Sequence, residues 1–198
     1  MTDNALQSLL LAIEADNDEA AEEIVTTLAV DANILPALLD LGTSANPDQR
    51  WWAMRALAEM AENNPDARDQ VTPVLLDALN DAEDSIRCVA ALGLSQMQAT
   101  SAIPSLALML ADASGWVRGA AANALAQIGE PAVPALGEAM QDEREGVRVR
   151  AAYALNRIKS IKSARWLFPA LNDPNHIVHT YAYETLDEMG LLNTVLVM

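Results

Sequence analysis

The sequence predicts an all-α chain built from a repeated pair of helices. Three observations predict it: similar segments recur every 30 or 31 residues, alanine and leucine dominate while aromatic residues make up only 4%, and prolines stand where second helices would begin. Alanine and leucine favour helices, whereas a β-sandwich would be rich in valine, isoleucine, threonine and tyrosine. An apolar fraction of 52% in 198 residues is enough to build a buried core.

An aspartate that closes an apolar segment marks each repeat. These aspartates are Asp81, Asp112, Asp142 and Asp173. A basic residue follows each of them by six positions, at Arg87, Arg118, Arg148 and His179. Earlier in the sequence Arg50 keeps the same frame, with Ser44 in the place of the aspartate. Recurrence at a fixed period of this length is typical of solenoids.

Each repeat contains the pattern of two amphipathic helices. Val117, Ala121 and Leu125 recur every four residues and share one face of a first helix, and Leu136 and Met140 do so in a second helix. A proline at the start of a helix removes no backbone donor that the helix needs. Such prolines are Pro36, Pro73, Pro104 and Pro134. Neither helix could bury its apolar face alone, so neighbouring repeats must stack to form the core.

The order of residues within a repeat resembles HEAT repeats, in particular the short HEAT-like repeats of the phycobilisome lyase type. This order is Asp, Val-Arg, Ala-Ala, Ala-Leu, Ile-Gly, Val-Pro-Ala-Leu. The resemblance covers roughly residues 16–190 and implies a right-handed α-α superhelix, a HEAT-like solenoid of stacked antiparallel helix pairs. We expect one solenoid over residues 1–198, with an N-terminal cap helix at 1–15. The expected repeats are about 16–43, 44–80, 81–111, 112–141 and 142–172, followed by a last partial repeat and C-terminal cap at 173–198.

The resemblance assigns the repeated aspartates and arginines to a ladder between neighbouring repeats. The residues concerned are Asp81, Asp112, Asp142 and Asp173 with Arg50, Arg87, Arg118 and Arg148. An aspartate just ahead of a helix can cap free backbone N–H groups, and the arginine fork can bridge to a neighbouring carboxylate. His179 and Ser44 interrupt this ladder near its two ends. We expect the ladder to stabilise the fold.

Candidate binding residues lie on the second helices, whose solvent-facing positions line the concave surface of HEAT solenoids. They stand four, seven, eight or eleven positions before the residue that ends the repeat. The predicted partner-binding set is Asp40, Asp77, Leu108, Glu138, Lys162, Arg165 and Trp166. An exposed tryptophan beside cations is a typical interface anchor. The alternative is that Trp166 packs on the C-terminal cap and the acidic side chains only face water.

The net charge of −16 restricts the kinds of partner. Phosphate backbones and anionic lipid surfaces would be repelled, so we expect neither nucleic acid nor a membrane as a partner. Residues 1–142 carry 5 basic and 22 acidic side chains, whereas residues 143–198 carry 7 and 6. The acidic end suits a basic protein or peptide; the plain alternative is a strongly solvated surface.

Three further tryptophans are open to two interpretations. Trp51 and Trp52 are adjacent, so on a helix they point about 100° apart and at most one can lie in the core. Trp116 stands in the turn before its helix. They either form an exposed edge patch or cover the seams where a longer loop, "ENNPDARDQ", enters.

Catalytic and metal-binding patterns are missing from the sequence. His176 and His179 are three residues apart, but no third ligand joins them at a metal-site spacing. No glycine-rich phosphate loop with a lysine occurs, and Cys88 is expected to be a small core or seam residue. We therefore expect no catalytic residue, no metal and no cofactor. A single cysteine and a start without a basic signal-peptide segment indicate the cytoplasm.

The leading functional hypothesis is a non-enzymatic scaffold or adaptor that binds a partner protein or peptide on its concave face. The resemblance also implies an alternative, a subunit similar to bilin (phycobilin) lyases and isomerases, which attach open-chain tetrapyrroles to cysteines. In that case Tyr153, Tyr181 and Tyr183 would line a pocket, with Arg157 and Lys162 as propionate partners. A self-assembling array is a third hypothesis. The sequence leaves the oligomeric state and the identity of the partner open.

Overall fold

The structure, a computed structural model, describes residues 2–192, with side chains from residue 4 onward. Within this range it has twelve α-helices, four 3₁₀-helices and no strand. This confirms the predicted all-α class of stacked helix pairs. The helices form two compact units, unit 1 (Met1–Ala99) and unit 2 (Thr100–Met198).

Unit 1 contains six α-helices. They are α1 (Thr2–Glu14), α2 (Asp18–Leu28), α3 (Leu35–Leu41), α4 (Pro47–Asn63), α5 (Pro65–Ala78) and α6 (Asp84–Gln96). Asparagines set three of the helix starts because their side chains accept backbone N–H groups of the first turn. Asn17 accepts from Ala20, Asn46 from Asp48, and Asn64 from Asp66.

The core of unit 1 centres on α4, which packs on α5 and α6. Leu57, Leu75 and Leu94, one from each of these helices, are fully buried. Helices α4 and α6 approach closely because residue 93 is glycine: a Cβ placed there would lie 2.5 Å from the Cβ of Ala58. The alanine-rich first helices therefore allow the close packing that a stack of helix pairs requires.

One predicted helix start is wrong. Pro73 does not open a second helix but lies inside α5, which begins eight residues earlier at Pro65. The segment "ENNPDARDQ", expected to be a longer loop, instead contributes the end of α4 and the first turns of α5. The cause is local, since Asn64 caps the helix and Pro65 occupies its first position, where no donor is lost.

Unit 2 also has six α-helices within residues 100–192. They are α7 (Ile103–Met109), α8 (Gly115–Ile128), α9 (Val133–Ala139), α10 (Glu145–Ile158), α11 (Ala164–Ala170) and α12 (His176–Glu188). A 3₁₀-helix precedes each of α7, α9 and α11. Pro104 and Pro134 stand in the first turns of α7 and α9, as the pattern predicts. The backbone turns between α8 and α9 at Gly129, whose φ of 81° favours glycine.

The core of unit 2 follows the predicted apolar spacing. Val117, Ala121 and Leu125 are fully buried in α8, and Leu136 is fully buried in α9. Helix α10 packs on α8, α9 and α12 and so joins the layers of this unit.

The expected single solenoid, with its repeat boundaries, stays a prediction. Residues 193–198 of the expected C-terminal cap lie outside the described residues. Among residues 2–192 no single helix is both long and apolar enough to cross a membrane. The pair Asp18–Leu28 and Ala32–Leu41 reaches that length and composition only when joined across a bend of 107°.

Candidate functional site

The repeated arginines bind the loop that precedes their own helix. In each case Nη1 donates to the two backbone carbonyls five and six residues earlier, at 2.7–3.3 Å. The arginines are Arg50, Arg87, Arg118 and Arg148. Each first helix is thereby tied to the loop that joins it to the helix before it.

Two of these arginines also bind the aspartate of the following repeat within their unit. Arg50 Nε and Nη2 donate to the Asp81 carboxylate at 2.9 and 3.0 Å, and Arg148 donates to Asp173 at 2.8 and 3.2 Å. The hydrogen bond from Arg50 lowers the pKa of Asp81. Burial, the largest single cause, would raise the pKa of Asp173, but the hydrogen bonds from Arg148 and from the backbone of Asn175, together with the charge of Arg148, outweigh it and lower the pKa. These pairs form two rungs of the predicted ladder.

The ladder differs from the prediction at Asp142. Within the described residues Arg118 makes only its two carbonyl bonds, while Asp142 is held by Arg144 at 2.7 and 2.9 Å. The hydrogen bond from the Arg144 side chain lowers the pKa of Asp142 to about 2. Arg144 follows Asp142 by two residues, so this pair stabilises one loop.

The aspartates do not cap helices as expected. Each carboxylate accepts the backbone N–H two residues later, at 2.7–2.9 Å, and the helix begins one residue beyond that. The donors are Glu83, Ser114, Arg144 and Asn175. The aspartate therefore closes a short turn and fixes the direction in which the backbone enters the helix.

The predicted binding residues of the first four second helices all reach solvent. Asp40 and Asp77 are exposed in unit 1, and Glu138 is exposed in unit 2. Leu108 is 78% exposed, although Leu106 and Met109 on the same helix are buried. Exposure is what a binding surface requires, and the binding role of these residues stays a prediction.

The remaining three predicted residues come together in unit 2. Lys162, Arg165 and Trp166 line a cavity of about 500 Å³, which we call the Trp166 cavity. Its other lining residues are Glu130, Pro131, Val133 and Pro134. The Arg165 guanidinium carbon lies 3.7 Å from the centre of the Trp166 ring, a cation–π contact.

A polar cluster forms one wall of the Trp166 cavity. Lys162 Nζ lies 2.5 Å from Glu130 Oε1, and Ser160 Oγ donates to Glu130 Oε2 at 2.8 Å. The hydrogen bond from Lys162, and to a smaller extent the one from Ser160, lowers the pKa of Glu130. Glu130 is therefore ionised at neutral pH and offsets the charge of Lys162.

A glycine makes room for the tryptophan. A Cβ added at Gly137 in α9 would lie 2.1 Å from Cε2 of Trp166 and 2.2 Å from Cδ2. The ring of Trp166 therefore packs directly on the backbone of α9. Gly137 is a positioning residue that the repeat pattern does not predict.

A second cavity, in unit 1, was not predicted. It measures about 660 Å³ and contains Trp51 and Trp52, whose ring centres are 4.8 Å apart in an edge-to-face arrangement. Trp52 is buried and Trp51 is only half-buried, in agreement with the expectation that at most one lies in the core. Acidic side chains surround the tryptophans: Asp16, Asp18, Glu19, Glu22, Asp48 and Glu83. Carboxylates around an aromatic pair favour a cationic group. We call this the Trp51 cavity.

His179, Cys88 and Trp116 lie outside the two cavities described above. His179 stacks on Tyr183, with ring centres 6.3 Å apart. Among the residues that the structure describes, no three His, Cys, Asp or Glu side chains are grouped to hold a metal. Cys88 is half-buried. Trp116 is 85% exposed and lies in the first turn of α8, not in the turn before it, because that helix begins at Gly115.

Stacked helix pairs with repeated aspartate and arginine side chains define a helical-repeat protein. The family described as HEAT repeats matches residues 72–156, and the family described as PBS lyase HEAT-like repeat matches residues 49–81. These matches confirm the predicted HEAT repeats, which are of the phycobilisome lyase type in residues 49–81.

Solved structures of low sequence identity share the fold. The X-ray structure of the Escherichia coli protein YibA has a TM-score of 0.60 and 21% identity, over 91% of this chain and 68% of that one. The complex of CpcE and CpcF of phycocyanin lyase from a Nostoc species has a TM-score of 0.53 and 21% identity, over 77% of this chain and 63% of that one. A designed armadillo repeat protein in complex with the peptide (KR)4 has a TM-score of 0.52 and 17% identity, over 90% of this chain and 97% of that one. No curated protein sequence matches this one.

Proposed function

We propose that this protein is a non-enzymatic interaction scaffold that binds a partner protein or peptide on the exposed side of its second helices, the concave face expected of HEAT solenoids. The observation that carries the proposal is the exposure of the predicted residues in the register of the repeat. Leu108 is the clearest case, because its solvent exposure forgoes the roughly 1.5–3 kcal/mol that burying a leucine side chain provides. A partner that covers Leu108 would recover part of that free energy.

The charge of unit 1 favours a basic partner segment. Asp40 and Asp77 are exposed on its second helices, and six further carboxylates surround the Trp51 cavity. Complementary charge speeds association and disfavours acidic partners. A designed repeat protein of similar fold holds the basic peptide (KR)4, which supports this choice of partner.

The test is capture of partners by the immobilised whole protein at low and high salt, followed by measurement of the affinity for the captured protein. We expect Trp166→Ala and Asp77→Lys each to weaken binding. Asp187→Lys is the matched control, because Asp187 is exposed but lies on a first helix, α12. Failure to retain any protein, or equal effects of the two lysine variants, would contradict the proposal.

A second candidate function is a lyase-type subunit that binds a bilin. It is favoured by the ring pair of Tyr153 and Tyr181, 5.9 Å apart, and by Arg157, whose Nη1 lies 3.2 Å from the Tyr153 hydroxyl. The similar fold of the phycocyanin lyase complex also supports this candidate. Mixing the purified protein with a bilin and recording the absorption spectrum tests it, since an unchanged spectrum excludes the candidate.

A further inference from the structure

We infer that the Trp166 cavity receives an acidic side chain of a partner peptide, an aspartate or glutamate that has an apolar neighbour. The juxtaposition that points to it is a stacked, unpaired arginine beside a tryptophan and a wall of prolines. The inference rests on the proposed function, because it specifies the chemistry of one part of the partner. It also assigns opposite charge preferences to the Trp166 cavity and the Trp51 cavity.

Arg165 is the group that would bind the carboxylate. It forms no ion pair with any carboxylate among residues 4–192, although acidic side chains outnumber basic ones by 28 to 12 in the sequence. Its guanidinium carbon lies 3.7 Å from the centre of the Trp166 ring, a separation that fits a guanidinium stacked on the ring. The N–H donors of an arginine lie along the edge, so stacking leaves them available for a bidentate carboxylate.

The two other charges of the cavity already neutralise each other. Lys162 is paired with Glu130, and Glu130 is held on its second oxygen by Ser160. Arg165 is therefore the uncompensated charge, and the cavity carries one net positive charge. In a protein with a net charge of −16, such a site selects for an anionic group at short range, where screening by salt is weak.

The rest of the cavity is apolar. Pro131, Val133 and Pro134 line it, and the two prolines have no backbone N–H. Capture of a peptide's terminal carboxylate uses a group of backbone N–H donors, so this wall fits an acidic side chain better than a terminal carboxylate. The volume of about 500 Å³ greatly exceeds the roughly 30 Å³ of one water molecule, so an apolar neighbouring side chain also has room.

The site is held in place before a ligand arrives. Trp166 packs on Gly137, and its ring orients the guanidinium of Arg165. Groups that are fixed beforehand lose little conformational freedom on binding, which favours affinity.

The experiment is an NMR titration of the ¹⁵N-labelled whole protein with three twelve-residue peptides. The peptides are acetylated and amidated, rich in glycine and serine, and differ only in a central Leu-Glu-Leu, Leu-Gln-Leu or Leu-Lys-Leu. The reporters are the side-chain Nε–H of Arg165 and the indole N–H of Trp166, identified with R165Q and W166F. We expect the glutamate peptide to shift both signals with a Kd at least tenfold below that of the glutamine peptide.

R165Q should abolish this preference, and R150Q should keep it. Arg150 is the matched control because it also lacks an ion pair among the described residues and lies outside the cavity. Equal binding of the glutamate and glutamine peptides, unshifted reporters, or a preference retained in R165Q would overturn the inference. Should R165Q fail to fold, the comparison of the glutamate and glutamine peptides on the natural protein still tests the inference.

The same titration separates failure of the inference from failure of the proposed function. A lysine peptide that shifts the backbone signals of Asp40 and Asp77, with no response to the glutamate peptide, refutes the acidic ligand and leaves the scaffold function standing. A response to the glutamate peptide with no protein captured from lysate supports the cavity and contradicts the scaffold.

Discussion

Substituting Gly137 with alanine should displace Trp166 and destabilise unit 2. The added Cβ would lie 2.1, 2.2 and 2.6 Å from three atoms of the indole ring. Carbon atoms in contact prefer about 3.5–4.0 Å, so the ring must move by roughly 1.5 Å. The flat ring cannot yield by rotating one flexible terminal group, because three of its atoms are involved.

The expected magnitude follows from two opposing terms. Overpacking of this kind costs about 1–3 kcal/mol, whereas alanine in place of glycine inside a helix gains about 1 kcal/mol. Gly119 supplies the control, since it also lies inside a helix, α8, and a Cβ there meets no atom within 4 Å. The gain is common to both variants, so G137A should be less stable than G119A by about 1–3 kcal/mol.

Thermal melting and NMR check this prediction. For a protein of this size 1 kcal/mol corresponds to about 2–4 °C, so the two melting temperatures should differ by roughly 2–12 °C. G119A should melt at or above the temperature of the natural protein. The Trp166 indole signal should move in G137A and stay in place in G119A. Equal melting temperatures together with an unmoved Trp166 signal would refute the packing described for this cavity.

Three further predictions concern the ladder and the helix packing. Arg148→Ala should lower the free energy of unfolding in urea by about 2–4 kcal/mol, because it leaves the largely buried Asp173 unpaired. Arg144→Ala should lower it far less, because the Arg144 side chain is exposed and water screens its pair with Asp142. Equal losses in the two variants would contradict the assignment of Arg148 and Asp173 as a rung of the ladder. Asp173→Asn should lower the free energy of unfolding at pH 7, and this loss should shrink below about pH 4. The reason is that a carboxylate whose pKa is lowered on folding stabilises the protein only while it is ionised. A loss that stays constant from pH 7 to pH 2.5 would contradict this role of Asp173. Gly93→Ala should lower the melting temperature, because its Cβ would lie 2.5 Å from that of Ala58, and an unchanged melt would show that α4 and α6 can separate without cost.

The fold could be predicted because its determinants are local and repeated. The spacing of Val117, Ala121 and Leu125 places one buried face correctly, and the structure buries all three. The start of α5 is missed because Pro73 has the position of a first-turn proline, although Asn64 and Pro65 carry the stronger signal eight residues earlier. An asparagine followed by a proline opens α4 as well, so this signal is available in the sequence.

The candidate binding residues could be predicted only where their position within the repeat determines whether they are exposed. Counting positions within the repeat identifies the exposed residues, since exposure depends on the phase of the helix. The Trp51 cavity is missed because its acidic side chains come from α2, α4 and the loops before α2 and α6, which the sequence does not show to be neighbours. Cavities formed between elements depend on packing distances, and the repeat pattern does not specify these.

The Trp166 cavity departs from the repeat in a way that the fold does not require. In earlier repeats the position of Trp166 holds Ala37, Val74, Ser105 or Ala135, so a large ring is not needed to stack the helices. Its presence is tolerated only because Gly137, 29 residues earlier, leaves room for it. Glycine inside a helix costs roughly 0.5–1 kcal/mol relative to alanine. A glycine that lowers helix stability and a tryptophan placed beside an unpaired arginine together support the inference that this cavity binds a ligand.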